Sequence, residues 1–479
     1  MTISVTGVAP TIRKPGTYIN INTAGAKTGL PVTIDKLLLI GTRSGGTAVA
    51  DVPVQVFSPG QAREYFGSGT PLALMAAAAL EQNPALSELW CVPQDEAVGA
   101  VAAAGTITVA ISSLTAGTLY LYVGRHLVRV GIASTDSESD IATNIAAAIT
   151  ADAALPFSAT SLLAVVTLTA KCKGTAGNDW VWADDFTGSG LTLTTVQPSS
   201  GATDPDVQDA LDAVESTQFD LICAEFKDAT SLTAIKTHLD TVAGPIEQRP
   251  GVSVTGLTGT LSAATTLASA RNSGRMAFPY MRGTLTHPME IGAAFAAAIA
   301  AEPDRARPLN NVVLKPVAVP RTRSDLLTRT EQESCLYNGV APLEEAPGNT
   351  VAIVRSVTSY VEDAFGSADD TLLDLQTIRV LDAVRYGVRV KLQQELGQTK
   401  LADVAVSANT TDPTKVRGVI LGVLYGYESI GYLERVEDHA DLLVVERDPS
   451  VPTRLNASIP ADIVDGAHVF GAELNLIFG

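Results

Sequence analysis

Residues 35–48 read DKLLLIGTRSGGTA, and the fold turns on the first half of that stretch. Leu37, Leu38, Leu39 and Ile40 run together without polar alternation, the pattern of a strand covered on both faces, and a glycine-rich turn follows. Next comes SPGQAREYFG, where Ser58 before Pro59 marks a capped helix start, and LALMAAAALEQNP, an amphipathic helix ending near Asn83 and Pro84. SELWCVPQ is the following strand. The same alternation resumes in DPDVQDALDAVESTQFDLICAEF and continues through SLTAIKTHLDTVAG, GVSVTGLTG and SGRMAFPYM to the helix HPMEIGAAFAAAIAAE. Apolar strands alternating with helices predict a parallel α/β sheet.

The regions outside this frame read differently. Residues 97–203 hold alternating strands such as GTITVAISSL, TLYLYVGRHLVRVGIA and AVVTLTAKC, one helix in DSESDIATNIAAAITAD, and the Gly/Ser/Thr-rich junction QPSSGATDPD. They read as a β-rich domain inserted into the α/β domain. Beyond residue 340, the helical stretches DDTLLDLQTIRVLDAVRYGVRVKLQQELGQ and DPTKVRGVILGVLYGYESIGYLERV and the strand DLLVVERDPS predict an α+β domain. The expected division is a 1–30 arm, an α/β domain over 31–96 and 204–340, the insertion over 97–203, the α+β domain over 341–460 and an arm strand over 461–479. Both arms have strand periodicity without a neighbouring hairpin partner. Thr17, Ile19 and Ile21 alternate with Tyr18, and His468, Phe470, Ala472, Leu474, Leu476 and Phe478 share one face of GAHVFGAELNLIFG.

A chain of 479 residues with 46% hydrophobic residues can bury roughly three domain cores. No signal peptide is recognisable at the N-terminus and no run is long enough for a membrane span, so synthesis in a cytoplasm is expected, with no membrane partner. A net charge of −18 and a pI near 4.7 argue against a nucleic-acid partner and favour solubility before assembly. Cys91, Cys172, Cys223 and Cys335 are scattered, which predicts reduced thiols, no disulfide framework and no metal site.

The tempting chemistry is incomplete. GTRSGGT follows a strand as a phosphate loop should, yet Thr47 stands directly after Gly46 and the lysine of a P-loop is missing. Ser44 lies in G-x-x-S-G rather than a nucleophile elbow, and none of His126, His238, His287, His439 and His468 sits in a recognisable catalytic motif. The carboxylate pairs at 184–185, 344–345 and 369–370 read as solvated surface. Arg321, Arg323 and Arg329 cluster in a stretch that reads as a solvated loop, with a docking surface for an acidic protein as the other option. No catalytic residue and no cofactor is expected.

The series RKPGTYININTAGAKTGLP, KLLLIGT, VPVQVFSPGQAREYFGSGTPLALMAAAAL, SELWCVPQ, IVRSVTSY and ILGVLYGYESIGYLERV, closing on LLVVERDPSVPTRLNASIPADIVDGAHVFGAELNLIFG, resembles the tail sheath proteins of contractile-tailed bacteriophages of the Mu-like kind. The resemblance is collinear over nearly the whole chain. It implies an α/β sheath domain of subtilisin-like topology, used without that fold's chemistry, carrying a variable β-rich insertion and followed by a C-terminal sheath domain. It further implies hexameric rings stacked around a tail tube protein in the virion, assembly in the bacterial host, baseplate and tail terminator partners, and contraction that drives the tube through the cell envelope. The N-terminal arm (Thr17, Tyr18, Ile19, Ile21) and the C-terminal arm (Phe470, Leu474, Leu476, Phe478) would then be strands lent to neighbouring subunits, the latter beside DLLVVERD. Arg379, Arg385 and Arg389 would face the tube. Two other readings compete: a cytoplasmic serine hydrolase assembled by folding, and a static shell or adhesion protein whose insertion binds a surface ligand.

Overall fold

The computed structural model describes residue 30 and residues 34–404, 407 and 409–476. The chain forms two compact units. One comprises Ile34–Val380 with the segment from Asp465, and the other Leu381–Val464 with Leu30.

The first unit is built on a six-stranded sheet in the order Met276–Ala277, Val252–Val254, Leu221–Ala224, Leu37–Thr42, Leu89–Gln94 and Val54–Gln55, parallel except for its last pair. Leu37 lies opposite Leu221 on one side and Leu89 on the other. Every residue of Leu37–Thr42 is buried, because helices cover both faces. Leu38 and Ile40 pack among side chains of the helices Val207–Val214, Ala229–Val242 and Leu261–Ser269. The helices Pro71–Gln82 and Pro288–Ala301 cover the opposite face. Pro71–Gln82 is buried nearly all round rather than on one stripe, since it touches the sheet, Pro59–Phe66 and Pro288–Ala301 at once. The Ser58 hydroxyl accepts from Gln61 N–H and caps Pro59–Phe66, as the sequence predicts.

Between Leu89–Gln94 and Val207–Val214 the chain forms a four-stranded antiparallel sheet in the order Leu191–Ser199, Ala104–Ile111, Val165–Ala170 and Phe157–Leu162. A three-stranded antiparallel sheet has Gly117–Val123 between His126–Ile132 and Trp182–Phe186. The helix Glu138–Ala151 begins in a Ser137–Asp140 capping box and buries Ile141, Ile145 and Ile149. Period-two burial of Leu119, Leu121 and Val123 is the alternation visible in the sequence. Residues 341–380, expected in the C-terminal domain, belong instead with the α/β unit, where Ala341–Ala346 pairs with Pro279–Tyr280 and with Thr350–Ile353.

In the second unit the C-terminal part of the Leu375–Leu396 helix packs against Pro413–Ser429. The Tyr427 hydroxyl donates to the Ala383 carbonyl at 2.6 Å, and a Cβ at Gly387 would lie 2.3 Å from that hydroxyl oxygen, so the glycine permits the close crossing. Val444–Arg447 pairs antiparallel with Leu455–Ser458 in a two-stranded ribbon. The sequence reading missed Leu455–Ser458 and left Val444–Arg447 to pair with a terminal arm; one of its edges is already taken within the chain.

Candidate assembly site

The C-terminal edge of the parallel sheet is where open α/β folds place ligands, at the point where connections leave a central strand in opposite directions. Here that point lies between Leu37–Thr42 and Leu221–Ala224. The Glu225 carboxylate is buried there, accepting from Thr42 N–H at 2.6 Å and from the Thr42 hydroxyl at 2.9 and 3.2 Å. Among the described residues it has no cationic partner. Burial raises its pKa to about 7, and the Thr42 hydrogen bonds oppose that rise. Cys172, Gly177 and Trp180 close over it, leaving a cavity of about 10 Å³, no more than one water's worth. The neighbouring glycine-rich turn is closed as well. The N–H groups of Arg43, Ser44, Thr47 and Ala48 donate to carbonyls of Gln94, Phe66, Glu64 and Tyr65, so they are not presented to an anion.

Polar side chains join the antiparallel strands and their connections to the parallel sheet and its helices. Arg125 donates to the fully buried Glu290 at 2.8 Å and to Glu81 at 2.7 Å. The His287 side chain caps Pro288–Ala301 by accepting from Met289 N–H at Nδ1; its Nε2 therefore carries the proton and donates to the Ala176 carbonyl at 2.8 Å. Trp180 lies across the His287 ring at 4.5 Å, and burial holds that imidazole below its usual pKa. Lys227 pairs with Asp179 at 2.7 Å.

The other histidines have separate surroundings. His439 faces Asp462 at 3.0 Å, and His468 faces Asn310, Gln376 and Asp374. Among the described residues no hydrogen bond joins a serine hydroxyl to a histidine ring, and no cluster of His, Cys, Asp or Glu has metal-ligand geometry. The four cysteines are buried and unbridged. Burial pushes each thiol upward, Cys335 to about 12. No described helix is long and apolar enough to cross a membrane.

The C-terminal segment departs from the compact body. Residues 465–476 form no strand, and Phe470 and Leu474 are 93% and 99% exposed, with Leu476 also exposed. Of the strand expected over 461–479, Ile463 bridges antiparallel to Leu433, and residues 465–476 have no ladder partner within the described chain; Phe478 lies outside the described residues. Thr17, Tyr18, Ile19 and Ile21 of the N-terminal arm also lie outside them.

Two family models match the chain, the phage tail sheath protein central domain over residues 200–359 and the phage tail sheath C-terminal domain over residues 367–477. Over their full lengths, the chain is 28% identical to the Mu-like prophage FluMu tail sheath protein of Haemophilus influenzae. The chain belongs to the phage tail sheath family. Members are structural proteins of the contractile phage tail, which places this one among virion tail components. Its fold is similar to that of the sheath tail protein from Desulfitobacterium hafniense, with a TM-score of 0.52 at 14% identity over 94% of this chain and 97% of that one. The sheath tail protein Lin1278 from Listeria innocua gives 0.52 at 13% identity over 93% and 96%.

The three arginines singled out in this sheath protein do not share a surface. Arg379 is buried and pairs with Asp35, which also holds Arg305. This corrects its placement among tube-facing residues, because an internal carboxylate already occupies its guanidinium. Arg385 contacts Asp382 at 3.2 Å, and Arg389 lies 5.4 Å from the Tyr386 ring centroid; both are half-buried. The sequence reading missed Glu225, the Arg125–Glu290 pair and the surroundings of His468. A signal for one was available: Glu290 is a lone carboxylate in the otherwise apolar PMEIGAAFAAAIAA, and such a charge needs a buried partner.

Proposed function

We propose that this chain is the repeating subunit of a contractile tail sheath, polymerising as stacked hexameric rings around a tail tube, with subunits linked by donated strands. One observation carries the reading. Phe470, Leu474 and Leu476 belong to one alternating apolar face, and all three stand in solvent on a segment without a strand partner. Such a segment is an aggregation hazard unless a neighbour completes its sheet. The Val444–Arg447 and Leu455–Ser458 ribbon of another subunit offers outer edges to accept it.

In this reading Thr17, Tyr18, Ile19 and Ile21 make the second link, and the α/β unit has the subtilisin-like arrangement without its chemistry. Residues 97–203 face outward, and Arg385 and Arg389 turn toward the tube. Baseplate and tail terminator proteins bound the polymer, which assembles in the bacterial cytoplasm and drives the tube through the envelope on contraction. The test is Leu474→Glu, which places an unpaired charge in the face to be buried, at a cost of several kcal/mol. Electron microscopy should show tubes for the parent chain and none for the variant, whose urea unfolding matches the parent's because Leu474 touches nothing in the monomer. Tubes formed equally well by Leu474→Glu refute strand donation.

A further inference from the structure

The exposed segment begins abruptly. His468 is half-buried within the α/β unit, its side chain paired with Asp374 at 3.5 Å, while the next residue, Val469, is 94% exposed. At Nδ1 the ring accepts from the Asn310 amide at 2.9 Å; at Nε2 it faces the Asp374 carboxylate and, at 3.3 Å, the Gln376 amide. Arg355 fixes Asp374 in turn through two hydrogen bonds of 2.8 and 2.7 Å. Gly466 lets the backbone into this corner, since a Cβ there would lie 2.7 Å from His468 Nε2 and 2.8 Å from Pro308. Three side chains of the frame, Asn310, Asp374 and Gln376, thus converge on one imidazole at the point where the chain leaves the body.

We propose that His468 is a positioning residue, a latch that fixes where the C-terminal arm departs and which way its apolar face points. His468 is the first member of the alternating set that continues through Phe470, Leu474 and Leu476. Holding its ring therefore sets the phase of every later residue, and a slip by one residue would turn that set to the opposite face of an acceptor sheet. The latch also sets reach. Val464 is held separately, its N–H donating to the Tyr432 carbonyl, so freeing His468 would add residues 465–468 to the arm, roughly 13 Å of extended chain. The effect on assembly rests on the strand-donation reading; the latch itself does not.

The test uses the full chain with a single cysteine introduced at Val469 or Leu474 and labelled with a nitroxide, the four native thiols being buried. Electron paramagnetic resonance of the unassembled protein should show a restricted label at 469 and a mobile one at 474. His468→Ala should make the label at 469 as mobile as that at 474, and His468→Asn, which keeps hydrogen-bonding atoms on a short side chain, should restore part of the restriction. Equal mobility at both sites in the parent, or no change at 469 in His468→Ala, overturns the latch. In the unlabelled chain His468→Ala should lower tube yield at least tenfold, with partial rescue by His468→Asn. If His468→Ala frees the label yet assembles like the parent, while Leu474→Glu still blocks tubes, positioning is refuted and strand donation stands. If Leu474→Glu also assembles, donation itself has failed.

Discussion

Glu225→Gln should make this protein more stable, and increasingly so as pH rises. The carboxylate is buried with Thr42 as its hydrogen-bonding partner and, among the described residues, no ion-pair partner. Its folded pKa of about 7, raised from 4.5 chiefly by burial, means that the native state holds a proton the unfolded chain has already released. The sign follows from linkage. Its contribution is complete below about pH 4.5, is lost as pH rises through about 7, and leaves an ionised carboxylate in the core above that. Each pH unit of displacement is worth about 1.4 kcal/mol, so the ionised group costs the fold about 3 kcal/mol at alkaline pH. Glutamine keeps the shape, accepts from Thr42 N–H, donates to the Thr42 hydroxyl and does not titrate. In urea unfolding of the monomer, the advantage of the variant should grow by about 2 kcal/mol between about pH 5.5 and about pH 8.5, a range clear of the pI near 4.7. A difference independent of pH, or a variant less stable than the parent at about pH 8.5, would refute an uncompensated buried carboxylate.

Two further outcomes follow from the ion pairs. Arg125→Met strands the buried Glu290 and should destabilise the α/β unit by about 3–5 kcal/mol, while Arg125→Met with Glu290→Leu should regain most of that loss; urea unfolding of both variants checks this, and a double variant no better than the single one contradicts it. Charge reversal at Arg385 and Arg389 should weaken co-sedimentation with tail tubes while sparing sheath polymerisation, whereas Arg379→Glu, set against the buried Asp35, should yield little folded protein at all.

The parallel sheet was legible because burial on both faces writes an uninterrupted apolar string, as in Leu37–Thr42 and Leu221–Ala224. The antiparallel strands between Leu89–Gln94 and Val207–Val214 were legible from alternation, as in Gly117–Val123. Leu455–Ser458, with the sequence LNAS, was not, because a two-stranded ribbon open to solvent demands no apolar run. The three arginines of one helix look alike in sequence; what separates Arg379 from Arg385 and Arg389 is Asp35, far away in the chain, and no local pattern reports that pairing. The same holds for Arg125 and Glu290. At the C-terminal arm the apolar alternation was readable, but its point of departure depends on Asn310, Asp374 and Gln376, which only folding brings to His468.

The Arg125–Glu290 pair and the His287–Ala176 bond constrain how such a chain can diversify. The N-cap and first turn of Pro288–Ala301 carry half of each contact, and the segment between Leu89–Gln94 and Val207–Val214 supplies the other half. A change that removes Arg125 or displaces Ala176 is therefore not neutral to the frame: it leaves a buried carboxylate without its cation and an imidazole without its acceptor. A chain that loses Arg125 should therefore be weakened unless position 290 changes with it.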